Sequence, residues 1–307
     1  MLLNFITWNV DPVAFSLGSL EVRWYGIFWA VGLYLAYLMQ VPLYKHDKAP
    51  SDWPDKIFMY MTLGVIIGAR LGHCWFYEWH EASTLGLEPV QIFAWNINYR
   101  NPYIEHPFEL LKIWQGGLSS HGGAIGLITA GIILNKKHFH TGISWIFDRL
   151  VIGVCLTATL IRLGNLMNSE IYGNPTSLPW GFLFVRNGDT LPCHPTQIYE
   201  MMYCMVAYVV TMIMFYKCKS GQRPGLIFGV FLEIVFVTRF CLEFIKLDQE
   251  AFEANMTLNM GQWLSIPFII YGVWLIVNAL RKPAVEGIPG NPLPKPSPQP
   301  APKKTKK

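Results

Sequence analysis

Residues 145–167 read WIFDRLVIGVCLTATLIRLGNLM, and this stretch decides the fold class. It is long enough to cross the hydrocarbon core of a bilayer, which takes ~20 predominantly apolar residues. Near one end it carries Arg162, and an arginine inside a membrane-spanning helix costs about 2.5–3.5 kcal/mol on insertion scales. Arg162 is therefore a functional candidate whose partner has to be found.

The composition of the whole chain agrees with a membrane protein. Of the 307 residues, 52% are hydrophobic and only 14% are charged, and the mean hydropathy is +0.30. Both fractions lie outside the usual range for soluble domains. Apolar stretches of roughly spanning length occur at 22–44, 57–77, 118–134, 145–167, 197–217, 224–245 and 262–280. The sequence predicts an all-α polytopic membrane protein with about seven transmembrane helices, the third being the shortest.

Basic residues are distributed unequally between the two predicted sides of the membrane. Fifteen Lys and Arg lie on one side, and four lie on the other: Arg100, Lys112, Arg186 and Lys246. The positive-inside rule assigns the richer side to the cytoplasm. With an odd number of spans, the N-terminus is then outside and the C-terminus is cytoplasmic. The first nineteen residues carry no Lys or Arg, so we expect the first span to remain as an anchor.

Two parts of the chain differ in composition. Residues 1–282 hold all the predicted spans and form a transmembrane domain, with an external loop at 78–117. Residues 283–307 are rich in proline and end in KKTKK. Such a segment cannot bury enough apolar surface to fold, so we expect a disordered, basic cytoplasmic tail near anionic lipid.

Most polar residues of the predicted spans lie at one depth, in the outer half of the membrane. They are Tyr25, Arg70, His73, His121, Arg162, Asn165, Gln197, Glu200, Arg239 and Glu243. Asp148 differs, because it precedes Arg162 by fourteen residues, or roughly 21 Å of helix, and cannot neutralise it. We interpret Asp148 as a polar residue at the cytoplasmic helix end, with Arg149 snorkelling beside it. Glu233 has no partner that the sequence identifies.

Three arginines at this depth require negative charge nearby. Arg239 and Glu243 have i,i+4 spacing and could simply pair. Arg70 and Arg162 have no acidic neighbour at helical spacing. Phosphate is the predicted occupant, because a guanidinium group binds it bidentately and stays charged when buried.

The stretch GGLSSHGGAIG at residues 116–126 surrounds His121 with glycines. Glycine allows backbone to approach a ligand closely, and it equally allows two membrane helices to pack closely. Helix packing explains the glycines but not the histidine, whose depth favours a functional role. Neither nucleotide-binding glycine motif is present, and the six cysteines lack metal-ligand spacing. We expect no cofactor, no metal and no nucleic-acid partner.

Seven blocks of this sequence resemble prolipoprotein diacylglyceryl transferases in order and spacing. They are WYG at 24–26, GARLG at 68–72, GGLSSHGG at 116–123, RLGNLMNSEIYG at 162–173, HPTQIYE at 194–200, RFCLEF at 239–244 and LNMGQWLSIP at 258–267. Together they cover almost all of residues 20 to 282. The resemblance implies transfer of the diacylglyceryl group of phosphatidylglycerol to the lipobox cysteine of a preprolipoprotein. A thioether forms and glycerol phosphate leaves, at the outer face of the bacterial cytoplasmic (inner) membrane.

The resemblance also implies roles for particular residues of the catalytic domain, 1–282. The residues with implied catalytic roles are His121 as general base toward the thiol, and Arg162 and Arg239 as phosphate ligands. Implied substrate-binding residues are Tyr25, Arg70, Asn165, Glu170, Gly173 and Glu243. A second division of labour stays open, in which arginine electrostatics form the thiolate and His121 only positions lipid.

Two other classes of function remain as alternatives. An anionic-lipid-binding or transport protein could hold the same head group without chemistry, although transporters usually bind substrate near the midplane between internal repeats, and no clear repeat is visible. A lipid phosphatase would cleave phosphorus–oxygen bonds, and would need a covalent nucleophile or a metal cluster.

Overall fold

Seven long helices dominate the described part of the computed structural model, which comprises residues 5–18, 20–76, 78–81, 90–92, 95–97, 99–112, 117, 119–247, 257–285 and 287–289. Each overlaps one predicted span. They are α1 Trp24–His46, α2 Trp53–Phe76, α3 Ser120–Leu134, α4 Ile143–Met167, α5 Thr196–Tyr216, α6 Leu226–Leu242 and α7 Met260–Arg281.

Five of these helices are long and apolar enough to cross a membrane: α1, α2, α4, α5 and α7. The other two are shorter, with 15 residues in α3 and 17 in α6. Helix α3 begins late because Gly117 adopts a left-handed conformation, with φ of 76°, and Ser119 then caps the helix. Beyond its end, a π-helical turn continues over Asn135–Phe139. These helices make the chain a polytopic membrane protein.

Short strands lie between the helices, so the prediction of an all-α fold was wrong there. The strands are β1 Ile6–Trp8, β2 Val13–Leu17, β3 Leu20–Arg23, β4 His80–Glu81, β5 Val90–Ile92, β6 Trp95–Ile97, β7 Tyr99–Arg100 and β8 Phe182–Phe184. β1 pairs in parallel with β8, while β2–β3, β4–β7 and β5–β6 are antiparallel. Strands of two to five residues carry too little hydropathy signal to be recognised in a sequence of this kind.

Helices α2 and α3 pack closely through glycines. A Cβ atom on Gly126 would overlap the carbonyl oxygen of Gly64, and one on Gly72 would lie 2.6 Å from Cα of Gly122. The predicted alternative of small-residue helix packing is therefore confirmed for this stretch. Helices α1 and α4 also approach closely, and the Thr157 hydroxyl donates a 2.9 Å hydrogen bond to the Gly32 carbonyl.

A buried polar cluster lies where α4 begins. Asp148 is fully buried and accepts 2.8 Å hydrogen bonds from the amides of Gly225 and Phe228, at the first turn of α6. Arg149 is also buried, and its Nε donates a 2.8 Å hydrogen bond to Asp47. The prediction that Arg149 snorkels was wrong, because the segments after α1 and before α6 cover its guanidinium group.

The first residues of the predicted tail, which starts at residue 283, pack against the rest of the protein. The amide of Val285 donates a 2.7 Å hydrogen bond to the Gln222 carbonyl. Ile288 is buried in the same core cluster as Tyr44 and Trp53. The packed part of the chain therefore continues past residue 282, at least to Ile288. Residues 290–307, like much of the loop 78–117, lie outside the described residues.

Candidate active site

Arg162 has an acidic partner on the neighbouring helix α5. Its Nε lies 2.8 Å from Oε2 of Glu200, a side chain that is only 1% exposed. The expectation that Arg162 lacks an ion-pair partner was therefore wrong. Helical spacing cannot reveal this pair, because its members are 38 positions apart on different helices.

The ion pair continues into a chain of five alternating charges. Lys246 Nζ lies 3.4 Å from Glu200 Oε1 and 3.4 Å from Glu243 Oε1. Glu243 Oε1 is in turn 3.5 Å from Nε of Arg239, which confirms the predicted pairing of these two residues. We call Arg162, Glu200, Lys246, Glu243 and Arg239 the ion-pair chain.

Exposure differs between the ends and the middle of the ion-pair chain. The Arg162 and Arg239 side chains are 19% and 34% exposed, whereas that of Lys246 is 3% exposed. An anion arriving at this site can therefore contact the two terminal arginines but not the central lysine.

Amide side chains extend the network from Arg162 to Glu170. Asn165 accepts a 3.2 Å hydrogen bond from Arg162 Nη1 and donates a 2.8 Å hydrogen bond to Glu170 Oε1. Asn168 donates to the same carboxylate oxygen at 3.1 Å. The flanking residues Ser169 and Ile171 have φ of 55° and 60°, a left-handed conformation that turns the chain sharply and directs Glu170 toward these amides.

Gly173 lies where three chain segments meet. A Cβ atom there would overlap the Ile245 carbonyl oxygen and lie 2.8 Å from His194 Cβ. Gly173 also forms an antiparallel β-bridge with Lys246. The close backbone approach expected at this glycine occurs between parts of the protein itself, and it fixes the backbone of Lys246.

Tyr25 contacts the same helix that carries Arg162. A Cβ atom on Gly164 would lie 2.8 Å from Tyr25 Cδ2, so the ring packs directly on that turn of α4. Tyr25 is also within electrostatic range of Glu170 and Arg162. The structure therefore places it at the edge of the network predicted for head-group binding.

Arg70 contacts the segment that precedes α3. Its guanidinium group donates hydrogen bonds to the carbonyls of Glu109, Leu110 and Gly117 at 2.9, 3.0 and 3.3 Å. The side chain also lies over the Tyr103 ring, 5.2 Å from its centroid. Carbonyl dipoles thus surround a group for which the sequence predicted phosphate.

His121 is the second residue of α3 and is exposed. Within the described residues, no hydrogen bond or ion pair connects it to the ion-pair chain. The structure therefore brings Arg162, Asn165 and Glu170 into one network with Arg239 and Glu243, while His121 and Arg70 lie on the α2–α3 pair.

A second histidine lies beside the network, outside the helices. His194 shares a 3.3 Å hydrogen bond with the Tyr199 hydroxyl, which accepts another from Trp180 Nε1 at 2.9 Å. Burial lowers the pKa of His194 from its ordinary value, so the neutral imidazole is favoured. In the part of the chain that the structure describes, no group of three or more His, Cys, Asp or Glu side chains converges as metal ligands would.

Sequence reasoning missed two members of the ion-pair chain, Glu200 and Lys246. The sequence predicts the same depth for Glu200 as for Arg162, but it does not indicate that the two residues pair. Lys246 was counted only as a loop cation, although its i,i+3 spacing from Glu243 predicts contact on a helical turn. Its burial could not be read from the sequence, because a lysine in a loop is usually exposed to solvent.

Comparisons of the sequence with a family model and with known proteins agree on one family. The family model described as "Prolipoprotein diacylglyceryl transferase" matches residues 12–278. A protein of Chloroherpeton thalassium named phosphatidylglycerol–prolipoprotein diacylglyceryl transferase is 38% identical over 283 residues, covering 92% of this chain and 97% of its own. Identically named proteins of Porphyromonas gingivalis and Tolumonas auensis are 39% and 40% identical, covering 92% and 90% of this chain and 97% and 98% of theirs. The chain therefore belongs to the prolipoprotein diacylglyceryl transferase family.

Proposed function

We propose that this protein transfers the diacylglyceryl group of phosphatidylglycerol to the lipobox cysteine of a preprolipoprotein, the first step of bacterial lipoprotein maturation. One observation carries the proposal beyond family membership: the ion-pair chain ends in two partly exposed guanidinium groups, Arg162 and Arg239. A lipid phosphate is the anion that a membrane helix bundle meets at this depth.

The two arginines hold the phosphate and stabilise its leaving group. The carbon–oxygen bond between the diacylglyceryl group and the phosphate breaks, and the electron pair stays on the phosphate oxygen. Glycerol phosphate therefore leaves with more negative charge than the phosphodiester had. Cationic groups placed in advance lower the barrier of such a step.

The cysteine thiol supplies the nucleophile, and its ordinary pKa near ~8.5 requires a base. In this proposal His121 accepts the thiol proton, and the sulfur then attacks the glyceryl carbon, so that a sulfur–carbon bond forms as the carbon–oxygen bond breaks. The exposed position of His121 at the start of α3 supports contact with an arriving peptide. In the alternative, Arg162 and Arg239 stabilise the thiolate and His121 positions lipid.

Head-group recognition is assigned to the residues around Glu170. Its carboxylate accepts hydrogen bonds from Asn165 and Asn168, and one remaining oxygen can accept from a glycerol hydroxyl. Tyr25 donates a hydrogen bond to the head group, and Glu243 orients Arg239. Gly173 allows its backbone to pass close to Ile245 and His194. We assign Arg70 an indirect role, because its guanidinium group binds the carbonyls of Glu109 and Leu110.

The proposed arrangement in the membrane follows the distribution of basic residues. All seven helices cross the bilayer, with the N-terminus outside, the C-terminus cytoplasmic and the ion-pair chain toward the outer face of the inner membrane. The catalytic domain, predicted as residues 1–282, extends at least to the packed Ile288, and the basic tail follows. The shorter α3 and α6 are extended by helical turns at Asn135–Phe139 and Glu243–Ile245, which supports a spanning role for both.

A peptide assay tests the proposal directly. Purified protein is incubated with phosphatidylglycerol and a peptide containing a lipobox cysteine, and the peptide mass is measured. We expect the peptide to gain a diacylglyceryl group on its cysteine, with glycerol phosphate released in equal amount. Bound lipid with unmodified peptide would instead favour an anionic-lipid-binding or transport protein, and release of inorganic phosphate would favour a phosphatase.

A further inference from the structure

We propose that Lys246 is a positioning residue that sets the net charge of the anion site, and that it raises the affinity for a phosphodiester without contacting it. This inference rests on the function proposed above. Lys246 is placed by its contacts with Glu200 and Glu243, each 3.4 Å from its Nζ, and by its burial.

The charges of the ion-pair chain do not cancel. Three cations alternate with two carboxylates, so the five groups have a net charge of +1. A phosphodiester carries one negative charge and neutralises this excess. Glu170 lies outside the ion-pair chain, and two amide groups donate to its carboxylate. Without Lys246 the remaining four groups sum to zero, and each arginine would have a full carboxylate to itself.

The position of Lys246 is fixed from three directions. Its backbone follows the turn Glu243–Ile245 and forms a β-bridge with Gly173. Glu243 is held in addition from α7, because Asn259 Nδ2 donates a 3.2 Å hydrogen bond to its Oε2. Lys246 thereby connects the Glu200–Arg162 pair of α5 and α4 with the Glu243–Arg239 pair at the end of α6.

Two substitutions, each by a side chain of nearly the original size, change the net charge of the ion-pair chain in opposite directions. Lys246→Met lowers the net charge of the ion-pair chain from +1 to 0, while Glu200→Gln raises it to +2. We expect Lys246→Met to raise the Kd for short-chain phosphatidylglycerol roughly tenfold, since a charge this close acts strongly in a buried site. Glu200→Gln is expected to leave that Kd unchanged or lower it, while kcat falls because Arg162 loses its orienting partner.

The experiment measures binding and turnover separately on the full-length protein in detergent. Binding of dihexanoyl phosphatidylglycerol is measured by calorimetry, and the KM values for lipid and for lipobox peptide are measured in mixed micelles. Lys246→Arg should restore most of the affinity, because it keeps the charge. Lys112→Met is the matched control, since it removes a lysine that is 38% exposed and that pairs, among the described residues, with its near neighbour Glu109.

The outcomes separate this inference from the proposed function. A weaker Kd and a higher lipid KM in Lys246→Met, with the peptide KM unchanged, support it. An unchanged Kd would overturn it, and so would equal weakening by Lys246→Met and Glu200→Gln, which indicates general loss of packing. If Lys246→Met does not fold, Glu200→Gln still tests the inference. Weaker lipid binding by Glu200→Gln than by the wild type would then overturn it. Wild-type protein that binds the lipid but does not modify peptide contradicts the transferase function only.

Discussion

Arg162 shows how one residue combines a stability problem with a function. Its pair with Glu200 takes both charges away from water, and removing one partner of a buried pair typically costs about 3–5 kcal/mol. Removing both partners leaves no uncompensated charge and is tolerated better. Effects of single substitutions at this site therefore mix folding with chemistry, and turnover must be expressed per folded molecule.

Arg162→Ala should reduce peptide modification by at least about 100-fold per folded molecule, because the leaving group loses a cationic ligand. Asp148→Asn is the comparison, since it also changes a charged residue of α4 but lies four turns away. We expect the Asp148→Asn variant to have a lower melting temperature, because its side chain has one oxygen fewer to accept hydrogen bonds from the backbone amides at the start of α6. The variant should nevertheless keep most of its turnover. Thermal unfolding in detergent measures the melting temperature. The peptide mass assay measures turnover, and size-exclusion chromatography gives the amount of folded protein. Equal loss of turnover would contradict the assigned depths.

At the scale of elements, the α2–α3 pair depends on the absence of side chains. Gly64, Gly68 and Gly72 of α2 face Gly122 and Gly126 of α3 so closely that the backbones are in contact. The pair also carries Arg70 and His121, two predicted site residues that belong neither to the ion-pair chain nor to the network around Glu170. Its geometry consequently determines where the proposed base lies relative to the bound phosphate.

Gly126→Ala should therefore destabilise the protein by about 1–3 kcal/mol, as overpacking typically does. Gly123→Ala, three positions earlier on the same helix, is the matched control. A Cβ atom at Gly123 meets Ala69 Cβ at an ordinary 3.6 Å, so its melting temperature in detergent should be near that of the wild type. Equal melting temperatures for the two variants would show that the close packing of α2 and α3 is not required.

At the scale of the whole molecule, polar groups concentrate at two levels with apolar helix between them. One level holds the ion-pair chain, and the other holds the cluster of Asp148, Arg149 and Asp47. Fourteen residues of α4, roughly 21 Å of helix, separate Arg162 from Asp148. This separation is compatible with placement at opposite sides of one bilayer core.

The proposed orientation predicts which single cysteines react from outside the cell. In a background with Cys218 and Cys241 replaced by serine, Arg186→Cys should react with a membrane-impermeant maleimide in intact spheroplasts. Lys219→Cys should react only after the membrane is opened. The other four cysteines are buried. Labelling of Lys219→Cys but not of Arg186→Cys in intact spheroplasts would reverse the orientation, and labelling of both would contradict a membrane crossing by α5.

The sequence by itself determined the membrane class, the seven helical segments and the Arg239–Glu243 pair. All of these depend on composition or on spacing within one helix, which is local. Only the tertiary structure decided that Glu200 pairs with Arg162, that Lys246 is buried between two carboxylates, and that Arg70 and Arg149 bind groups of distant segments. Such contacts join residues from separate helices, and their energies depend on burial and distance, which a linear sequence does not contain.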